Sequence, residues 1–173
     1  MSSIRISHFV QFILFTALQV LVFRNLVLFD SGFSFIYIAF LLFLPIEISV
    51  VPLLLLAFVQ GLAVDVFYDT MGIHAGACVL LAFLRPYVLY LLIPRDGYDA
   101  NDSANVHVMG WRWFLTYALL LIFMHHLAVF FLEMAGFRMW WLTVVKALVS
   151  TLFTGTVVLI TQLLFFSPRR AVR

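Results

Sequence analysis

Several charged and titratable side chains interrupt the apolar stretches of this sequence, and they are the first candidates for chemistry. They are Glu47, Asp65, Arg85, His125, His126, Glu133 and Lys146. A charged group inside a long apolar stretch is costly, so it usually pairs with an opposite charge, faces a cavity or marks a pathway for protons or substrate. These residues therefore belong either to a functional site or to ion pairs that fix how helices pack.

Helix geometry sorts these residues by depth. A rise of about 1.5 Å per residue from the predicted turns places Asp65, Glu133 and Lys146 near one membrane face. His126 shares a helix face with Glu133 at a spacing of seven residues, and Glu133 and Lys146 flank a short turn that makes them natural partners. The four residues could form one buried cluster. Its functional interpretation is a proton relay or substrate site, and its structural interpretation is an ion pair or a contact for a partner helix.

Arg85 belongs at a different depth. It lies about 20 Å along its helix from the same membrane face, which is too far for a direct pair with Asp65. We expect it to pair with Glu47, in the turn at the opposite face, or to reach headgroup phosphates by snorkelling.

Patterns for catalysis and metal binding are missing from the sequence. The adjacent His125 and His126 point about 100° apart on a helix, so they cannot easily share one ion, and Cys78 is a lone cysteine in an apolar run. There is no glycine-flanked serine and no phosphate-binding glycine loop. The polar loop 94–110 lacks the glycine and the final acid of a calcium-binding loop. We therefore expect no enzyme activity, no metal and no cofactor.

Composition defines the class of protein. Of 173 residues, 65% are hydrophobic and only 10% are charged, whereas soluble domains are about 45–50% apolar and about 25% charged. The apolar runs are long and do not alternate with polar residues, which favours membrane-spanning helices over a barrel. Basic residues form no cluster of the kind that binds nucleic acid. The sequence predicts an all-α, polytopic integral membrane protein with no soluble domain.

Six spans are predicted in a single transmembrane domain that covers residues 1–173. A single helix over residues 33–66 would be about 51 Å long, so we expect a break near Pro45 and Pro52. The second span is short, and a re-entrant or broken helix is the alternative there. The predicted spans are residues 6–23, 33–44, 50–67, 73–93, 111–134 and 139–166.

The distribution of basic residues predicts the orientation. With six spans, one side holds Arg5, Arg95, Arg112, Arg169, Arg170 and Arg173, and the other holds Arg24 and Arg138. Because basic residues accumulate on the cytoplasmic side, we expect both termini in the cytoplasm. The apolar N-terminal stretch is predicted to be a retained first span rather than a cleaved signal peptide, because no small-residue cleavage site follows it.

The segment between the third and fourth spans has a distinctive pattern. Gly61-Leu62-Ala63-Val64-Asp65 ends one span, and Gly72-Ile73-His74-Ala75-Gly76 opens the next. This pattern resembles the family of the rod shape-determining protein MreD, which has a G-L-x-x-D segment, a short turn and a second glycine that opens the next span. The chain length and the scarcity of loops also match, although only residues 55–90 carry the specific pattern. The loop 94–110 is longer and more acidic than this family suggests.

The resemblance implies a non-enzymatic scaffold in the inner membrane of a bacterium. Such a scaffold associates with MreC and, through it, with MreB, RodA and a penicillin-binding transpeptidase that build the side wall. Gly61, Asp65 and Gly72 carry over as positions of the family pattern. On physical grounds we expect Gly61 to allow close helix contact, Gly72 to allow a tight turn, and Asp65 to cap that turn or pair with a nearby polar group.

Two other functions remain open from the sequence. Substrate-binding membrane subunits of energy-coupling importers are also small, six-span and poor in loops, although this likeness is architectural only. An intramembrane enzyme or proton-conducting protein would use Asp65, His126, Glu133 and Lys146.

Overall fold

The computed structural model describes residues 6–28, 32–98, 103–134 and 139–165, and most of this part of the chain is helical. The protein is thus a polytopic all-α membrane protein, as predicted. The elements in chain order are α1 (Ile6–Leu21), a 3-10 turn (Phe23–Asn25), β1 (Val27–Leu28), β2 (Gly32–Phe33), a second 3-10 turn (Ile36–Ile38), α2 (Ala39–Phe43), α3 (Val50–Tyr68), α4 (Ile73–Leu91), α5 (Val106–Met109), α6 (Trp111–Glu133) and α7 (Trp140–Phe165).

Five helices in the described part of the chain are long and apolar enough to cross a membrane. They are α1 with the 3-10 turn that follows it, α3, α4, α6 and α7. The shortest has 19 residues and measures about 28 Å, close to the thickness of the hydrocarbon core. Their ends lie within two residues of five predicted spans. Large apolar side chains cover their outer faces, which suits contact with lipid.

The bundle has two distinct ends, which we name the hairpin end and the loop end. At the hairpin end, β1 pairs with β2 in antiparallel register, a tight turn over residues 69–72 joins α3 to α4, and the guanidinium of Arg24 lies over the ring of Tyr68. The loop end carries the connection 92–110 between α4 and α6. Because the chain passes from one end to the other an even number of times, residues 6 and 165 lie at the same end, the loop end.

The predicted second span is not a transmembrane helix. Residues 32–45, which we name the central segment, consist of a strand, a 3-10 turn and the five-residue helix α2. The segment starts beside α7 at the hairpin end and finishes at the loop end, where Pro45 forms a backbone bridge with Ser103. The central segment therefore crosses the bundle in a partly extended form, which adds a sixth pass to the five made by the long helices. It does not return to its starting end as a re-entrant loop would.

Burial explains why this irregular pass is tolerated. Residues 35–44 are at most 5% exposed, since the long helices surround them. Non-helical backbone is stable at membrane depth only when protein groups satisfy its N–H and C=O groups. Polar side chains on four different helices do this here: Gln19, Arg85, Tyr117, Ser150 and Thr154.

The loop 94–110 packs against the bundle in the parts that the structure describes. The Trp113 indole donates to the carbonyl of Leu92 at 2.7 Å, and the Tyr98 hydroxyl donates to the carbonyl of Leu89 at 2.8 Å. Ala104 and Asn105 are buried, and the Asn105 side chain caps α5. Ala104 and Asn105 thus pack into the bundle and are not solvated, whereas residues 99–102 lie outside the described part.

The orientation across the membrane stays a prediction. Arg95 and Arg112 lie at the loop end and Arg24 lies at the hairpin end, in line with the predicted grouping of basic residues. The other arginines in that argument lie outside the described residues: Arg5, Arg138, Arg169, Arg170 and Arg173.

Candidate functional site

Asp65, in the last turn of α3, organises the hairpin end. Its carboxylate accepts the Thr70 hydroxyl at 2.5 Å, the backbone N–H of His74 at 3.0 Å and the backbone N–H of Ala75 at 2.9 Å. The first N–H groups of a helix have no partner within the helix, and a negative charge there also interacts well with the helix dipole. Asp65 thus caps α4 from the neighbouring helix and also pairs with the Thr70 hydroxyl and the His74 ring, so both of the roles expected as alternatives are present.

Gly61 lies one helical turn before Asp65, on the face of α3 that contacts α4. A Cβ atom at this position would lie 2.5 Å from the carbonyl oxygen of His74 and 2.6 Å from the nitrogen of Ala75. Both are backbone atoms that cannot rotate away, so any larger residue would push the two helices apart. The predicted close helix contact at Gly61 is confirmed.

Gly72 allows the turn between α3 and α4. Its φ is +86°, in the left-handed region that favours glycine, and a Cβ atom there would meet no other atom within 4 Å. Gly72 is therefore needed for its backbone conformation rather than for space, as predicted. Asp69, at φ +54°, makes the same turn in a conformation that Asp and Asn tolerate best among non-glycine residues.

His74 was not singled out from the sequence, yet it links Asp65 to the centre of the bundle. Its Nδ1 lies 3.0 Å from Asp65 Oδ1, and the ring packs edge-on against Phe35, Tyr37 and Tyr68. Because the carboxylate only accepts, a neutral His74 donates from Nδ1, and Nε2 is left as an acceptor. This buried Nε2 has no hydrogen-bond partner in the described structure.

The sequence contained a signal for His74 and Thr70, although neither residue was predicted to be part of a site. Thr70 lies in the turn just before the predicted helix and His74 lies in its first turn, where side chains and N–H groups commonly need an acceptor. An acid five residues before Thr70 and nine before His74 could have been tested as that acceptor.

A cavity of about 180 Å³ opens beside His74 at the hairpin end. All five long helices or their flanking turns contribute to its wall, together with the central segment. Aromatic rings form much of the wall, including those of Phe33, Phe35 and Tyr68. The polar and charged residues of the lining are Arg24, Ser34, Tyr68, Thr70, His74, Glu133 and Lys146.

Glu133 and Lys146 form the ion pair that the helix hairpin predicted. The Lys146 ammonium lies 3.4 Å from Glu133 Oε2 and also sits over the rings of Phe33 and Phe130, at 4.6 Å and 4.3 Å from their centroids. Glu133 is exposed and Lys146 is half-buried. Cation–π contacts of this kind hold the ammonium at the rim of the cavity.

The predicted cluster of four residues is not assembled as one unit. His126 is buried, with Nδ1 at 2.7 Å from the carbonyl of Ile122 and Nε2 at 3.1 Å from the Thr154 hydroxyl. Thr154 Oγ1 in turn accepts the backbone N–H of Phe35 at 3.1 Å and lies 3.4 Å from the carbonyl oxygen of Phe33. His126 therefore supports the irregular backbone and is not a partner of Glu133, because its two ring nitrogens contact Ile122 and Thr154 instead.

Arg85 is fully buried and serves the central segment at its other end. Its guanidinium donates to the carbonyl of Leu44 at 2.6 Å, to the carbonyl of Pro45 at 3.2 Å and to the Tyr117 hydroxyl at 2.8 Å. The expected partners were wrong, because Glu47 is exposed and makes no salt bridge with Arg85 in the described structure. Backbone carbonyls freed by the irregular pass take the place of a carboxylate.

The described part of the chain contains no group of three or more His, Cys, Asp or Glu residues placed to hold a metal ion. His125 points to the Tyr37 hydroxyl at 2.8 Å, and Cys78 Sγ lies 4.0 Å from the same ring nitrogen. Both residues are completely buried and lie beneath the cavity rather than in its lining.

Comparison of the chain with protein-family models, with curated proteins and with solved structures found no match.

Proposed function

We propose that this chain is a non-enzymatic scaffold of the bacterial cell-elongation machinery, similar to MreD, in the inner membrane. The observation that carries the proposal is the shared role of Gly61, Asp65 and Gly72. All three residues of the family pattern act on one structure, the rigid joint between α3 and α4. A pattern whose residues fix helix geometry suits a platform for partner proteins.

The outer face of this joint supports docking of a partner helix. A groove of about 810 Å³ runs along α3 and α4, and it is lined by Phe58, Leu62, Gly72 and Gly76 among others. Gly76 is exposed, and a Cβ atom there would meet only a Leu132 methyl at 3.8 Å. A small residue on the outer face of a helix lets a partner helix approach closely in a membrane. Under our proposal this groove receives the membrane helix of MreC, and MreB, RodA and the transpeptidase are reached through it.

A mild-detergent pull-down of the tagged chain from its native membrane tests the proposal. Recovery of MreC with RodA or a transpeptidase is the expected result, and depletion of the chain should round the cells. Rod shape that persists after depletion, or a pull-down without these partners, would contradict the scaffold function.

Two variants of matched size then test the groove. Gly76→Leu fills it without a predicted clash, and we expect it to reduce recovery of MreC about tenfold or more, because a helix contact of 1–2 kcal/mol or greater is lost. Thr156→Leu places the same side chain on an exposed position of α7 and should leave recovery unchanged. Equal recovery of MreC with both variants would show that this groove is not the docking surface.

A second candidate function is favoured by the cavity at the hairpin end. A polar and aromatic cavity inside a small helical bundle is what a substrate-binding subunit of an energy-coupling importer requires. The same pull-down separates the two functions, since an importer subunit would recover a pair of ATPases and a coupling membrane protein instead of MreC.

A further inference from the structure

The cavity at the hairpin end is lined by elements from every part of the bundle. Its wall combines the turn after α1, the central segment, the ends of α3 and α6 and the starts of α4 and α7. Parts of all five long helices or their flanking turns therefore surround it. Its volume of about 180 Å³ is slightly larger than the cavity of about 150 Å³ that accommodates benzene in an engineered protein. A single ring with one or two small substituents fits this space.

The charges at the rim favour an anion. Arg24 and Lys146 face a single carboxylate, Glu133, which leaves one excess positive charge among the described residues of the lining. Lys146 is paired with Glu133. Arg24 stacks over Tyr68 at 5.4 Å and makes no salt bridge within the described structure, so its guanidinium is available to a carboxylate from solution.

Two buried polar atoms in the wall lack hydrogen-bond partners. Ser34 is 1% exposed and His74 is 3% exposed, and neither Ser34 Oγ nor His74 Nε2 finds a partner among the described residues. Buried polar groups are nearly always paired in folded proteins. His74 Nε2 is held as an acceptor by the contact between Nδ1 and Asp65, so its missing partner is a donor.

We propose that this cavity binds a small water-soluble organic monoanion, with a ring-sized apolar body, an acid group for Arg24 and Lys146, and a hydrogen-bond donor for His74 and Ser34. The site does not depend on the scaffold function and goes beyond it. Aromatic side chains enclose the ring, the rim cations hold the acid group, and the buried imidazole and hydroxyl select for the donor.

Three related probes test this ligand class against the purified full chain in lipid nanodiscs, by isothermal titration calorimetry. The probes are 4-hydroxybenzoate, which has both features, benzoate, which lacks the donor, and 4-hydroxybenzamide, which lacks the charge. We expect 4-hydroxybenzoate to bind, and each of the other two to bind about tenfold more weakly, the effect of one hydrogen bond or one charge contact. Absence of saturable binding of 4-hydroxybenzoate at millimolar concentration, or equal binding of all three, would overturn the proposal.

Matched variants locate the site. Arg24→Gln should weaken binding of 4-hydroxybenzoate about tenfold, whereas Arg112→Gln removes an arginine that stacks on Trp111 in the same way at the loop end and should have no effect. Ser34→Ala removes a hydroxyl that has no partner, so it should fold normally and still lose affinity. Unchanged affinity in both Arg24→Gln and Ser34→Ala would place the bound acid elsewhere and refute the assignment.

A lipid headgroup phosphate could offer the same negative charge, so the lipid composition distinguishes the two sources. Binding of 4-hydroxybenzoate should be equal in nanodiscs of zwitterionic lipid and in nanodiscs that contain phosphatidylglycerol. If the anionic lipid abolishes binding of the acid to wild type, a headgroup occupies the cavity, and the assignment to a soluble anion is wrong.

Discussion

Replacement of Asp65 by Asn tests how the hairpin end is held together. The side chains have the same shape, and the change removes the negative charge and turns one acceptor atom into a donor. At present Oδ1 accepts Thr70 and the N–H of His74, while Oδ2 accepts the N–H of Ala75. An amide that keeps its oxygen at Oδ1 places its NH₂ against the N–H of Ala75, so two donors face each other in a buried site.

The cost follows from these contacts. A buried N–H left without an acceptor costs about 1–3 kcal/mol. The remaining contacts change from charge-assisted to neutral hydrogen bonds, which are roughly half as strong, and the favourable interaction with the α4 dipole, about 0.3–1 kcal/mol, is lost. We therefore expect Asp65→Asn to lower the free energy of unfolding by about 2–4 kcal/mol, which is large for a single polar substitution.

The measurement is unfolding in mixed micelles by increasing sodium dodecyl sulfate, followed by helical circular dichroism. Asp69→Asn is the matched control, because Asp69 is exposed and its left-handed conformation suits Asn; its effect should stay within about 0.5 kcal/mol. If the two variants unfold alike, Asp65 does not cap α4 from the neighbouring helix, and the proposed joint between α3 and α4 loses its main support.

Three further substitutions test the other contacts by the same unfolding assay. Gly61→Ala should destabilise the protein by about 1–3 kcal/mol, because its methyl group overlaps backbone atoms of α4. Arg85→Met should destabilise it by about 1–3 kcal/mol, since buried carbonyls of the central segment lose their donor. Thr154→Val should cost about 1–3 kcal/mol, because the N–H of Phe35 loses its acceptor.

Each of these predictions has an outcome that would contradict it. Gly61→Ala with wild-type stability would mean that α3 and α4 can separate freely. Arg112→Met should be neutral on the exposed surface, so a loss there as large as for Arg85→Met would show a general effect of arginine removal. Thr156→Val is the exposed counterpart of Thr154→Val. Equal losses of stability in the two variants would show that the contact with the central segment does not cause the effect.

Features whose partners lie nearby in the sequence were predicted well. The roles of Gly61, Asp65 and Gly72 involve atoms within about fifteen residues, so a turn between two helices was enough to infer them. The Glu133–Lys146 pair follows from a hairpin in the same way. Long apolar helices were also found, since their length and hydropathy are local properties.

The central segment shows what local patterns cannot reveal. Its apolar residues resemble a short helix, but the hydroxyl groups that satisfy it lie on α6 and α7, and Ser150 is 117 residues away from Phe33. Arg85 illustrates the same difficulty. Its position along α4 was predicted correctly, but its acceptors are backbone carbonyls, which cannot be predicted from a pattern of side chains. Which backbone groups need a side-chain partner depends on how the whole bundle is assembled.

The central segment also constrains how the chain can be made. Most of the side chains that satisfy its backbone groups lie on α4, α6 and α7, all of which leave the ribosome after it, whereas Gln19 of α1 precedes it. Lipid offers these groups no partner, so the segment has no stable place within the bilayer while only α1 has been synthesised. The nascent chain must keep residues 32–45 at the water interface or inside the insertion machinery until α7 arrives, and the second pass is then completed last although it stands second in the sequence.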